Sequence, residues 1–490
     1  MPSHVSRREF LRASALSVGV LTIADVVSAC APRTAASTDS SATLGTGANA
    51  GTGGQADPWT AVPAILARIV PPTFPARDFV ITTYGAKGDG TTDCTDALQR
   101  AVAACADAGG GRVVVPAGRF LTGPVHLRSR VNLHVSAGAT LAFHTDPKRY
   151  LPAVHTRFEG IELMGYSPLV YAFGVSDVAV TGTGTLDGQA SDANWWAWKG
   201  GKGRPVPNQI AARDSVMAMM EAGVPVKDRV FADGSYLRPQ FIQFYRSRNV
   251  LIEGITIINS PMWEVHPVEC TNVTVRGLTV NTHGPNNDGC NPESCRDVLI
   301  ERCTFDTGDD CIAIKSGRNA DGRRINIASE NIVVRDCTMK DGHGGVTIGS
   351  EISGGVRNVF VERCTMDSPN LDRALRFKNN AMRGGTLEHI YMRDCTIGEV
   401  KEGVLSIDLF YEEGEKGPFT PIVRDVELRN VTSRKSEYGL YMRAYPKSEI
   451  SDIRVIDCRF DGVAKGNVAE GVRGLVMRNV RVNGQPVSGT

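Results

Sequence analysis

Short runs in which apolar and polar residues alternate recur through the second half of the chain. The first, Asn249-Val250-Leu251-Ile252-Glu253, is followed by copies at 272–276, 297–301, 331–335, 358–362, 389–393, 425–429, 452–456 and 474–478. Each copy has the period of two that a strand with one buried face requires. The interval between copies drifts between roughly 22 and 36 residues, which a superhelix of short strands tolerates because extra residues bulge out as loops. No long amphipathic helices separate the copies, which argues against folds with one helix per strand. Stacked coils of parallel strands satisfy both facts and leave edges only at the two ends. The expectation is an all-β, right-handed parallel β-helix.

Cys303, Cys337, Cys364, Cys395 and Cys458 each fall six residues after the start of a copy, so they are expected to stack as a ladder of buried free thiols. Cys94 with Cys105 and Cys290 with Cys295 stand as alternative local bridges. A helix is predicted over 92–107, capped by Thr92, Asp93 or Thr95 and ended by Gly109-Gly110-Gly111, where it can cover the open N-terminal end of the superhelix. Residues 189–240 interrupt the repeat as an insertion on one face. They carry Trp195-Trp196-Ala197-Trp198 and a helix-like stretch near 214–222.

The formal net charge of +1 leaves no global field to attract a polyanion. No nucleic acid partner is expected, and an acidic ligand needs a few placed cations. The N-terminus reads as an export signal. A twin-arginine pattern, Ser6-Arg7-Arg8-Glu9-Phe10-Leu11, precedes a short uncharged apolar run and Val27-Ser28-Ala29-Cys30. Two outcomes stand side by side: a lipid anchor on Cys30, or plain cleavage near Ala29. Location is thus expected to be periplasmic, outer-membrane lipoprotein or secreted. Residues 31–57 have flexible-linker composition, and 58–490 form one β-helical domain.

Ionisable residues gather in the turns after four consecutive copies: Asn286-Asn287-Asp288, Asp309-Asp310, Gly342-His343-Gly344 and Arg376-Phe377-Lys378. Coils stack about 4.8 Å apart, so residues at matching phase form a row. Asp288, Asp309 and Asp310 are therefore expected within roughly 5–10 Å of one another. A separation of about 6.5–9.5 Å between two of them would suit an inverting glycosidase, which needs a water between acid and base.

At these residues the chain resembles glycoside hydrolase family 28, the polygalacturonases, whose four motifs occur here in order. The middle residue of the first is Asn287 where the family often has Thr. The resemblance covers roughly 75–485 and implies a pectin-lyase-like solenoid that hydrolyses α-1,4-linked galacturonic acid in pectic polysaccharide or oligogalacturonides. It implies Asp309 as general acid, Asp288 and Asp310 as activators of the water, and His343 orienting the acid. Asn286, Arg376, Lys378 and Tyr411 would bind substrate, the two cations holding the sugar carboxylate. An acid among carboxylates should keep its proton through a raised pKa. No cofactor or metal is implied, and a monomer is expected. Residues 79–90 and 187–196 resemble the bacterial and plant branch with exo-acting members. The 189–240 insertion could wall off one end of the groove, with Lys199, Lys202 and Arg204 near the terminal sugar. The Trp cluster could stack on sugar or anchor the loop.

Two other readings remain. A pectate lyase would use Asp288, Asp309 and Asp310 as a Ca²⁺ site. A non-catalytic carbohydrate-binding solenoid would bind without turnover.

Overall fold

The alternating copies pair side by side in parallel, in the register their phase dictates. In the computed structural model, which describes residues 57–201 and 207–489, each copy from Arg248–Glu253 to Val472–Val482 hydrogen-bonds to the next. The export segment, Cys30, most of the linker, Lys202 and Arg204 lie outside those residues. Coils wind with the right hand that parallel crossovers take. Each coil contributes strands to three sheets. The first sheet holds the repeated runs. The second holds the shorter strands after each ladder position, from Asp89–Asp93 to Arg459–Phe460. The third runs from Val125–His126 to Val468–Glu470, narrowing to single bridges at Cys290 and Glu293.

The first residue of each copy explains its own identity. From Asn249 to Asp452 these residues have φ between 53° and 58°, the left-handed region that Asn and Asp tolerate best among residues with a Cβ. Their side chains also bond along the axis: Asn272 donates to Asn249 at 2.8 Å and Asn358 to Asn331 at 3.0 Å. Six residues on, the cysteines stack as expected. The eleven described cysteines are all buried free thiols, so neither alternative bridge forms.

The ends are closed locally. The helix Thr95–Asp107 starts with Asp93 accepting from the Thr95 N–H at 3.0 Å, and buries Leu98, Ala101, Val102 and Cys105 in the main core. An antiparallel strand, Gln485–Gly489, covers the last coil. A second N-terminal helix, Val62–Arg68, was not foreseen. It sits on the outer face of the first sheet, where Trp59, Val62 and Ile65 pack on Leu299, Val333, Phe360 and Tyr391.

Two excursions leave the third sheet on its N-terminal half. One is the expected insertion, between Thr185–Asp187 and Ile242–Tyr245, which contains the helix Ile210–Glu221. The other is an antiparallel hairpin, Val154–Phe158 with Ile161–Gly165. Arg157 at its tip is fully buried. It bonds Glu269 at 2.5 Å, Glu293 at 3.1 Å and the Tyr245 hydroxyl at 3.0 Å. The hairpin is thereby fastened to the third sheet through ions.

Candidate active site

The third sheet aims its outward residues at one cleft. Cys290, Ile312, Val346 and Phe377 point into the core, so alternation sends the residues next to them outward. Thr347, Arg376, Ser406 and Tyr441 form one outward row, in register from strand to strand. The turns entering these strands carry Asp288, Asp309, Asp310 and His343. A cleft of about 250 Å³ opens here. All eight residues singled out from sequence line it: Asn286, Asp288, Asp309, Asp310, His343, Arg376, Lys378 and Tyr411.

Close approach explains the glycines around His343. A Cβ on Gly342 would stand 2.6 Å from the Asp309 carbonyl oxygen, at a φ of +152°, and one on Gly344 would crowd Thr347 and Asp310. Asn287 lines no ligand space. Its side chain accepts from Thr282 and the Gly284 N–H and donates to the carbonyls of Ser260 and Met262, which locks the turn that presents Asp288.

The three aspartates converge, with one oxygen of each within 4.8 Å of the others. Such crowding needs counter-charge, and two lysines supply it. Lys378 Nζ stands 2.5 Å from Asp310, whose other oxygen accepts from Thr347 at 2.9 Å. Lys315, missed in the sequence, reaches Asp288 at 3.4 Å and Glu351 at 3.0 Å. Two ammonium groups inside the cluster occupy the electrostatic role of a Ca²⁺, which counts against the lyase reading.

The proton sits elsewhere than expected. Burial, then the charge of Asp309, pushes the Asp288 carboxyl up to about 8, partly offset by Lys315. Asp309 moves the other way. Burial opposes its ionisation, but the His343 hydrogen bond at 3.0 Å and the charge of Lys378 hold it below the usual carboxylate range. His343 is raised by that same bond. Burial and counter-charge thus favour one proton on the pair near neutrality, held by Asp288 rather than Asp309, because of the depth of Asp288 and the His343 and Lys378 partners of Asp309.

Arg376 contacts the His343 carbonyl at 3.2 Å, and Arg376 and Lys378 both lie over the Tyr411 ring, at 5.9 and 5.7 Å. Asn286 lines the cleft while its side chain accepts from Arg238 at 2.7 Å. On the N-terminal side the cleft ends in a wall. Glu159 of the hairpin binds Arg213 of the insertion helix and Arg318 at the start of the helix Asn319–Ile325, at 2.7 and 3.2 Å. Lys199 lines this end with neither an ion pair nor a hydrogen bond among the described residues, its pKa lowered chiefly by burial. The Trp cluster is an anchor: Trp195 is fully buried, and Trp198 packs on Trp195 and Tyr236. Trp263 lines the cleft instead, with Lys315 Nζ 4.4 Å above its ring.

Fold and cleft together define a carboxylate acid/base site of the glycosidase kind on a parallel β-helix, set among cations suited to an acidic sugar. Residues 232–471 match the family model described as glycosyl hydrolases family 28. Residues 79–139 match one described as rhamnogalacturonase A/epimerase, pectate lyase-like. A probable polygalacturonase of Vitis vinifera is 28% identical over 80% of this chain and 75% of its own. An exo-poly-α-D-galacturonosidase of Dickeya chrysanthemi is 27% identical over 73% of this chain and 62% of its own. The crystal structure of a hyperthermoactive exopolygalacturonase from Thermotoga maritima is 46% identical, with a TM-score of 0.85 over 87% of this chain and 96% of that one. The chain belongs to glycosyl hydrolases family 28.

Proposed function

We propose that this protein hydrolyses α-1,4-linked galacturonate of pectic polysaccharide from the non-reducing end, releasing monomer. The observation that carries the hydrolysis is the convergence of Asp288, Asp309 and Asp310, each with an oxygen within 4.8 Å of the others, beside Arg376 and Lys378. Asp309 protonates the glycosidic oxygen, oriented by His343. Asp288 and Asp310 draw the proton from the attacking water. The one proton held by the Asp288–Asp309 pair must reside on Asp309 in the reactive complex. Arg376 and Lys378 hold the sugar carboxylate, and Tyr411 and Asn286 line its seat. The exo mode rests on the wall of hairpin and insertion, with Lys199 facing the terminal sugar.

Asp309→Asn should lower kcat by about 10²–10⁴-fold while circular dichroism and substrate binding stay unchanged, because the amide keeps the shape but supplies no acid proton. Near-native kcat would remove Asp309 from its role. Chromatography of a time course on polygalacturonate should show monomer from the start with slow loss of viscosity; early oligomers would mean internal cleavage. The anomer released, read by NMR, tests the inversion. We also propose twin-arginine export, ending in a lipid anchor on Cys30 or in plain cleavage near Ala29. Lysine at both Arg7 and Arg8 should retain the protein in the cytoplasm; Cys30→Ser should free it from membranes in the first case and change nothing in the second.

A further inference from the structure

Glu264 has no part in the reaction as described, yet it is completely buried, and among the described residues neither of its carboxyl oxygens has a hydrogen-bond partner. A buried carboxylate in that condition is costly, and a native structure rarely holds one without a reason. Its backbone ties it to the site: the Glu264 N–H donates to the Asp288 carbonyl at 3.0 Å. A second orphan lies on the adjacent coil. Asn291 donates its amide N–H to Asp288 Oδ2 at 3.0 Å, while its own buried side-chain oxygen has no donor among the described residues. Glu264 and Asn291 flank the bridge between Val265 and Cys290 on adjacent coils. Val265 and Cys290 point into the core, so both flanking side chains are on the outer face.

One proton resolves both orphans. We propose that Glu264 is a positioning residue carried as the neutral acid: its O–H donates to the Asn291 side-chain oxygen, and the Asn291 amide thus oriented holds Asp288 in place for the attacking water. The charges around Glu264 agree. Asp288 and Asp309 on the following coils both oppose its ionisation, and burial opposes it more. The basic groups at its margins are engaged elsewhere, His266 with Glu293 and Gln243, and Lys315 with Glu351 and Asp288.

This inference rests on Asp288 acting upon the water, so Asp288→Asn serves as the control. If that variant keeps its activity, the reading of the site fails, whatever Glu264 does. The test is the pH profile of kcat on polygalacturonate for Glu264→Gln, Glu264→Leu and Asn291→Ala. Gln is neutral and donates a hydrogen bond, so Glu264→Gln should keep kcat and leave the alkaline limb where it is. Glu264→Leu and Asn291→Ala should each lower kcat about tenfold or more at constant KM, through misplacement of Asp288. Their losses should not add in the double variant. Should Glu264→Leu fail to fold, Asn291→Ala and Glu264→Gln still decide. An alkaline limb displaced to lower pH by about one unit in Glu264→Gln would overturn the proposal, since it would mean that a negative charge had been removed from beside Asp288. Native kcat in Asn291→Ala would overturn it as well.

Discussion

The two ends of the cleft are built on opposite principles. On the N-terminal side, hairpin, insertion helix and sheet are fastened by buried ions: Arg157, Glu159, Arg318 and Glu351 are all under a tenth exposed. On the C-terminal side the outward rows continue past Arg376 as Ser406 and Tyr441. There a second hollow of about 170 Å³ is lined by Arg373, Glu402, Tyr438 and Tyr441, with the Glu402 and Glu437 side chains about a third exposed. One end is closed by buried ion pairs; the other is lined by partly exposed polar side chains. The same repeat produces both, and the difference comes from what is laid over it. Under the exo reading proposed above, a chain end enters up to the wall while the rest of a polymer leaves by the open end.

The comparison is broken most severely at the bolt of the wall. Arg157→Leu leaves buried Glu293 with His266 alone and Glu269 with Arg246 alone, and should cost about 3 kcal/mol of stability, seen as a lowered unfolding temperature. An unchanged unfolding temperature would mean that the ions do not hold the hairpin. A milder break is Gly160→Val. Its Cβ would meet Glu351 Cγ and the Arg318 nitrogen at 2.8 Å or less, at a φ of +80°, and should lift the hairpin tip. Monomer release should fall by about 10²-fold, with oligomers appearing among the products.

The same variant sharpens the electrostatics. Activity of the native protein should fall as pH rises through about 8, where the Asp288–Asp309 pair loses its proton. Water admitted by Gly160→Val relieves the burial that raises Asp288, so this limb should move to lower pH; a limb that stays would place the cause outside the wall. The smallest effect belongs to the open end. Tyr441→Ala should raise KM for the polymer two- to tenfold, the equivalent of about 0.5–1.5 kcal/mol for an aromatic contact. KM for the dimer should not change.

Much of this was legible in the chain, and for local reasons. The Asn or Asp opening seven of the nine copies records a left-handed backbone position, and the cysteine six residues into five of the nine records a turn into the core. Because stacking converts phase into position, four motifs distant in sequence could be placed in one cleft before any coordinates. What escaped depends on pairings with no local signature. Arg157 meets partners 112 and 136 residues away. Lys315 closes an otherwise unremarkable strand. The helix Val62–Arg68 docks on outward Leu299, Val333 and Phe360, whose apolar character interrupts the alternation without saying what covers them. The location of the proton escaped for the same reason, since depth and counter-charge set it.

The stacked thiols have a consequence for how this molecule dies. While folded, none of the eleven described cysteine sulfurs meets solvent appreciably, so an oxidising milieu finds none of these to attack. Once the coils come apart, all eleven are released together onto one chain with no native pairing to return to. Random cross-linking then outruns recovery. Loss of structure should be one-way in air, with an apparent melting point that depends on scan rate, and reversible only when a reductant is present. Durability outside the cell would be a matter of how slowly the first coil opens, not of how favourable the folded state is.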